Sequence, residues 1–264
     1  MTDTTHNQFL ERCFRLDGLS AIVTGAGSGL GRQAAITLAR VGAEVALLGR
    51  REAALAETRA QILAVGGRAR SFPVDVSDVQ ALADVLDQVQ TEMAPLRVLV
   101  NNAGSGGRHL LADADGADFD RMFGINTKAA LLVATAFARR LMAAGLPGRI
   151  INICSLAVQS HPQGLGLYGA SKAALEHLTR TMAREWAAHD INVNSINPGF
   201  IETDINRALL RSPAGQAMIE AMPRRRVGTP EALDGAILLL SSPSSAFITG
   251  STLVVDDAQR FGPA

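Results

Sequence analysis

The chain has 264 residues, with 25 basic and 25 acidic side chains and a formal net charge of zero. That balance argues against a nucleic-acid-binding or polybasic membrane-surface protein, because both need excess positive charge to engage phosphates. With 47% hydrophobic residues the chain can bury a core without disulfide or metal staples, and no apolar run approaches the ~18 residues of a membrane span.

In chain order, residues 1–15 read as a loose tail. Short β-branched runs follow at Ser20–Thr24, Glu44–Leu48, Ala69–Val74, Leu96–Val100, Arg149–Ile153, Asn192–Ile196 and Thr252–Val255. Between them lie helical patterns at Leu30–Val41, Glu52–Val65, Asp78–Met93, Phe119–Ala144, Tyr168–Ala188 and Pro230–Leu240. Strands separated by helices of this length predict βαβ units: an α/β fold, a single-domain Rossmann-type doubly wound parallel sheet of about seven strands with helices on both faces. One dinucleotide-binding and catalytic domain is expected over 16–264. The stretch 199–228 is too long for an ordinary connection and predicts a lid, with Leu209, Leu210, Met218, Ile219 and Met222 covering a pocket. Cys13 and Cys154 form neither a zinc pattern nor a disulfide framework, and the N-terminal segment lacks the apolar core of a signal peptide. A soluble cytoplasmic protein is the expectation.

The first strand ends in Thr24-Gly25-Ala26-Gly27-Ser28-Gly29-Leu30-Gly31, and a helix follows. Glycines let a backbone turn tightly against a pyrophosphate, and a helix N-terminus offers N–H donors and a partial positive charge. A tight loop is the bland alternative, but the placement after the first strand favours a dinucleotide site. The second strand ends Leu47-Leu48-Gly49-Arg50-Arg51. An acid there would bond the ribose 2′-hydroxyl of NAD, whereas an Arg accommodates a 2′-phosphate. Arg50 therefore favours NADP over NAD, the alternative being a solvated basic turn.

Tyr168-Gly-Ala-Ser-Lys172 pairs the only Tyr with one of only two lysines. On a helix these positions share a face, so an ammonium stands beside a phenol and favours its ionised form. That makes Tyr168 a candidate general acid/base. Ser155 follows the fifth strand, where a hydroxyl faces the ligand crevice of an open α/β sheet. No Gly-x-Ser-x-Gly elbow surrounds it, and Cys154 is expected to point into the sheet packing rather than act as a nucleophile. Asn126, within the long fourth helix, is by itself a filler residue. His161 reads as a loop residue with some chance of reaching the pocket, and Arg224–Arg226 as a solvated run.

These residues together resemble the short-chain dehydrogenase/reductase family over about 16–256. The glycine loop is similar to the family's first motif, Asp75-Val76 to its adenine-contacting pair, and Asn101-Asn102-Ala103-Gly104 to its fourth-strand motif. Asn126, Ser155, Tyr168 and Lys172 match the catalytic tetrad, and Asn197-Pro198-Gly199-Phe200-Ile201-Glu202-Thr203 the segment that fixes the nicotinamide carboxamide. The resemblance implies an oxidoreductase moving a hydride between a nicotinamide cofactor and a ketone or secondary alcohol. In it Tyr168 exchanges the proton, Ser155 orients the substrate oxygen, Lys172 bonds the nicotinamide ribose, and Asn126 helps hold a water in the proton relay. The implied cofactor contacts are Gly25, Gly27, Ser28, Gly29, Leu30, Gly31, Arg50, Asp75, Val76, Asn102, Ala103, Gly104, Tyr168, Lys172, Pro198, Gly199, Ile201 and Thr203; no metal is implied.

Two departures stand out. The family often closes its last strand with Val-Asp-Gly-Gly, where this chain has Val255-Asp256-Asp257-Ala258. The closest-looking subgroup is the 3-oxoacyl-[acyl carrier protein] reductases, but the basic residues that dock the acidic carrier are thin here. The apolar lid residues favour an apolar ketone, with a 3-oxoacyl thioester or a sugar or polyol as alternatives, and a dinucleotide-sensing binding protein as the non-enzyme reading. Apolar side chains on more than one face of the fourth helix, among them Ala129, Leu131, Leu132, Ala134, Ala136 and Phe137, predict a homotetramer or homodimer. Small-molecule substrates, and neither nucleic acid nor membrane, are the expected partners.

Overall fold

The computed structural model describes residues 3–93, 95–204 and 206–262. In chain order it holds α1 (Asp3–Phe14), β1 (Ser20–Thr24), α2 (Gly29–Arg40), β2 (Glu44–Gly49), α3 (Glu52–Ala64), β3 (Arg68–Pro73), α4 (Val79–Glu92), β4 (Leu96–Asn101), α5 (Gly116–Phe123) and α6 (Ala130–Ala144). There follow β5 (Gly148–Ile153), α7 (Ala157–Ser160), α8 (Gly166–Trp186), β6 (Ile191–Pro198), α9 (Arg207–Arg211), α10 (Pro213–Ala221), α11 (Asp234–Ser241) and β7 (Thr252–Val255).

The seven strands pair in parallel in the order β3-β2-β1-β4-β5-β6-β7. Alternation along each strand explains why helices cover both faces. Ala21, Val23, Val45, Leu47, Val98 and Val100 point to one side, where they pack with Ala35 and Leu38 of α2, Leu55 and Ile62 of α3 and Ile237 and Leu240 of α11. Ile22, Ala46, Leu48, Leu99 and Ile150 point to the other, against Leu82 and Leu86 of α4, Val133 and Phe137 of α6 and Met182 of α8. Chain order reverses direction between β1 and β4, which opens a crevice at the C-terminal ends of the central strands.

Three local expectations change. The predicted loose tail contains α1, whose end is tied down by Ser244 Oγ donating to the Cys13 carbonyl at 2.9 Å and by the buried Leu16; residues 1–2 of that tail, and 263–264 of the predicted domain, lie outside the described residues. The single helix expected over 119–144 starts earlier, at an Asp115/Asp118 capping box, and is broken by a π-helical turn at Gly124–Ala129. The pattern at Pro230–Leu240 opens as a 3₁₀ turn, Pro230–Leu233, before α11. No helix among the described residues is long and apolar enough to cross a membrane.

Candidate functional site

The crevice is a cavity of about 990 Å³ running across the ends of β1 to β6. Its first half is built by the glycine loop. Gly25 and Gly29 take φ of +65° and +53°, the left-handed region that favours glycine. A Cβ on Gly31 would stand 2.3 Å from the Gly25 carbonyl and 2.4 Å from Asn102 Nδ2, so only hydrogen fits there. Gly31, expected as a direct contact, is buried beneath the loop and is not among the residues lining the cavity. It acts on the loop's shape, because a side chain there would drive the loop outwards. Gly27 makes room for Ala54 of α3, which a Cβ would meet at 3.0 Å. Arg32 then staples the loop to α3, with 2.9 Å bonds to both oxygens of Glu57 and a 2.7 Å bond to the Gly27 carbonyl.

The motif after β4 braces this loop from the other side. Thr24 Oγ1 accepts from the amides of Asn102 and Ala103, both at 3.0 Å, and Asn102 Nδ2 donates to the Thr24 carbonyl at 3.0 Å. At the ends of β2 and β3, Arg50 and Asp75 line the cavity with Val76. Asp75 is held below the usual carboxylate range by the Ser77 hydroxyl and amide, with Arg50 a lesser contributor 3.9 Å away. Arg50 is 78% exposed, so that long ion pair leaves the guanidinium free to turn to a ligand. Arg51 also faces the cavity and reaches Ser28 Oγ at 3.5 Å.

The second half carries the proposed chemistry. Lys172 is 4% exposed, and its Nζ donates to the carbonyl of Ile153, the last residue of β5, at 2.8 Å. Tyr168 lies one turn earlier on α8, half-buried and lining the cavity, and Ser155 lines it from the other wall. The Ser155 hydroxyl accepts from the Ala157 amide at 3.1 Å, which fixes its orientation and leaves its proton for a ligand. Asn126 sits in the π-helical turn, fully buried and one layer behind the cavity. It accepts from the Ser105 amide at 2.9 Å, and its Nδ2 donates to the Ser105 carbonyl at 2.9 Å and to Ser171 Oγ at 3.0 Å. Ser171 Oγ in turn donates to the Tyr168 carbonyl at 2.7 Å. A Cβ on Gly104 would stand 2.8 Å from Asn126 Oδ1 and 3.4 Å from Lys172 Nζ, so these groups converge on one point. Such π-turns recur at functional sites.

Cys154 borders the cavity but is only 3% exposed. Its side chain packs against Ala130 and Leu175, and burial pushes the thiol up to about 12. Pro198, Gly199, Ile201 and Thr203 line the far wall. Every expected cofactor contact except Gly31 therefore faces this cavity. The glycine-rich loop at the N-terminus of α2, left-handed at Gly25 and Gly29, fits a pyrophosphate, and the basic end of β2 fits a ribose with or without a phosphate.

The lid residues behave differently. Leu209, Leu210, Met218, Ile219 and Met222 are absent from the cavity wall; Leu210 and Met222 are buried, and Leu209 is exposed. Exposed His161 also stays outside, with φ +48°. Arg207 pairs with Glu202 and Asp204, while Arg224 and Arg226 pair with Asp257. The cavity is lined instead, besides the expected contacts, by Ser105, Asp120, Arg121, Ser160, Asp204 and Asn206, with Ile125, Leu156, Leu165 and Phe200. Asp120 and Arg121 carried no signal in the sequence, because nothing local says which way α5 turns. Ser77 could have been found from the Asp-x-Ser pattern of an Asx turn.

A family model described as short chain dehydrogenase matches residues 20–213. Gluconate 5-dehydrogenase of Gluconobacter oxydans (strain 621H) is 35% identical over 244 residues, covering 92% of this chain and 95% of that protein. Galactitol 2-dehydrogenase (L-tagatose-forming) of Cereibacter sphaeroides is 35% identical over 246 residues, covering 92% and 95%. Among solved structures, a 3-oxoacyl (acyl-carrier-protein) reductase from Agrobacterium tumefaciens C58 with NADP bound superposes with a TM-score of 0.88 at 29% identity, covering 94% of this chain and 97% of that one.

Proposed function

This chain belongs to the short-chain dehydrogenase family and is an NAD(P)-dependent oxidoreductase moving a hydride between a ketone and a secondary alcohol; on that premise we propose that its substrate is polyhydroxylated, a sugar-derived ketone or the matching alcohol, and that it uses NADP(H). The observation that carries the substrate reading is the set of polar side chains on the cavity wall, where the exposed Asp120, Arg121 and Asp204 add charged groups of both signs. Sugar hydroxyls that lose water on binding need polar partners, and the solvent-facing Asp120, Arg121 and Asp204 on this wall are placed to supply them. The carbohydrate substrates named for the Gluconobacter and Cereibacter relatives agree with this reading.

In the reducing direction Tyr168 gives its phenolic proton to the carbonyl oxygen, and in the oxidising direction it takes that proton back. Ser155 donates to the same oxygen and stabilises the negative charge that grows there. Lys172, anchored by the Ile153 carbonyl, keeps two further donor protons for the ribose and the phenol. Asn126 fixes Ser105 and, through Ser171, the first turn of α8 that carries Tyr168. When bound, the dinucleotide supplies or accepts the hydride at its nicotinamide C4.

NADP is preferred because Arg50 and Arg51 stand at the end of β2 with no acid to bond a 2′-hydroxyl. Both cysteines are free, which supports a reducing, cytoplasmic setting. The test is NADPH oxidation against keto-sugars and keto-sugar acids, apolar ketones of equal length and 3-oxoacyl thioesters. The highest kcat/KM is expected for the keto-sugars; an apolar ketone ahead by tenfold or more would overturn the polar-pocket reading.

A further inference from the structure

The turn that replaces the family's Gly-Gly at the end of β7 keeps a glycine-like backbone. Asp257 and Ala258 have φ of +49° and +66°, a region L side chains rarely adopt. What holds them there is a set of bonds made by their neighbours. Asp256, 7% exposed, accepts from the Ala258 amide at 3.2 Å and the Arg260 amide at 3.0 Å. The turn then projects two side chains onto the 199–228 excursion. Asp257 accepts from Arg226 Nε at 2.6 Å, with Arg224 at 3.4 Å. Gln259 Oε1 accepts from the Phe200 amide at 2.6 Å, while its Nε2 donates to the Arg226 carbonyl at 3.3 Å.

One amide thus spans the entry and exit of the excursion. The neck between them is itself laced by Glu202 N donating to the Gly228 carbonyl at 2.8 Å and Gly228 N to the Phe200 carbonyl at 3.0 Å. Phe200 stands next to Pro198 and Gly199, which line the dinucleotide cavity. Gly199 is pressed so closely that a Cβ would meet Gln259 Oε1 at 2.4 Å.

We propose that Gln259, backed by Asp257, is a positioning residue for the nicotinamide half of the site: it fixes the wall Pro198–Thr203 and closes the neck of the 199–228 excursion. This rests on the dinucleotide reading of the cavity. Gln259 touches neither the glycine loop nor the end of β2, so its effect is confined to one end of the cofactor.

The experiment compares wild type with Gln259→Leu, which removes both bonds, and Gln259→Glu, which keeps the acceptor for Phe200. Backbone amide hydrogen exchange is measured on the cofactor-free protein, and binding of NADPH and of 2′,5′-ADP by calorimetry. Gln259→Leu should speed exchange across 199–204 and 226–228, leave 25–30 unchanged, and weaken NADPH by about tenfold, the order of one lost hydrogen bond, without weakening 2′,5′-ADP. Gln259→Glu should restore protection at Phe200. Unchanged exchange at the neck, or equal loss of both ligands, overturns the proposal. Should Gln259→Leu fail to fold, Asp257→Asn with the same readouts decides, since it weakens the anchor to Arg226 and Arg224 and leaves Gln259 in place. If the wild type binds neither ligand, the dinucleotide reading falls, and the exchange pattern still decides whether Gln259 holds the neck.

Discussion

Glu176 and Asn197 meet at 2.8 Å, carboxylate to amide, where the helix bearing Tyr168 and Lys172 crosses the end of β6. Asn197 is fully buried and Glu176 is 8% exposed, with its other oxygen taken by Arg180 at 2.7 Å. The pair ties the proposed catalytic helix to the strand leading into Pro198 and Gly199. Glu176→Leu leaves the Asn197 amide buried and without its acceptor, at an expected cost of about 2 kcal/mol. Glu176→Gln keeps an acceptor and should cost less than about 1 kcal/mol. Urea denaturation of both variants checks the ordering, which would be reversed if Glu176 were an unhappy buried charge.

Tyr168→Phe removes the only phenol and leaves its ring in place. Turnover should fall by about 10²–10⁴-fold or more, while NADPH affinity stays within a few-fold of wild type. Retention of a tenth of kcat would refute the acid/base role. Lys172→Met should lower both turnover and dinucleotide affinity, because the same ammonium serves the ribose.

Arg50→Asp exchanges a phosphate partner for a hydroxyl acceptor. It also sets a second carboxylate near Asp75, which its Ser77 bonds keep ionised. The ratio of kcat/KM for NADPH over NADH should fall by about tenfold or more, the size of one charge-assisted contact. A wild type that already prefers NADH would defeat the reading of this strand end.

Cys154 gives a pH signature. Its folded-state pKa is raised, so as pH climbs past the ordinary thiol value of about 8.5 the unfolded chain loses the proton first. The folded chain then binds more protons, and stability falls with rising pH until the folded thiol ionises at about 12. Cys154→Ala should flatten that fall between pH 9 and roughly 11, as read from denaturant midpoints. In the native protein at pH 8 iodoacetamide should leave Cys154 unmodified and reach it only after unfolding; rapid native alkylation would contradict its burial.

Assembly is testable on its own. Leu131 and Ala136 of α6 are half-buried against the same core that holds Val133, Ala134 and Phe137, and half-buried Leu132 lies outside it, the apolar residue left for a second face. A homotetramer or homodimer is the expected species by light scattering at micromolar concentration. A monomer would mean that this face is covered by something other than a second copy.

The strands, their parallel pairing and most of the residues that line the cavity were legible in the amino-acid sequence, because they depend on local chemistry. Short β-branched runs such as Ser20–Thr24, buried at every position, suit a strand covered on both faces. A Gly25/Gly29 pair marks backbone that a side chain would obstruct, and a lone Tyr four residues before a rare Lys defines one helix face. Tertiary structure alone decided the rest. Gly31 proved to be a packing position because Asn102, 71 residues later, lies over it. The π-turn around Asn126 owes its shape to Ser105 and Ser171 on other elements. Leu209, Leu210 and Met222 share the apolar pattern of pocket residues yet do not line the cavity, whose polar wall comes from Asp120 and Arg121 on α5. Asp257 and Ala258 hold left-handed backbone that their identities alone argue against, through bonds from Asp256 and to Arg226. Apart from the Asp256–Ala258 bond, the deciding contact joins groups distant in the chain, and a local pattern records the propensity of a segment but not the partner against which it is finally packed.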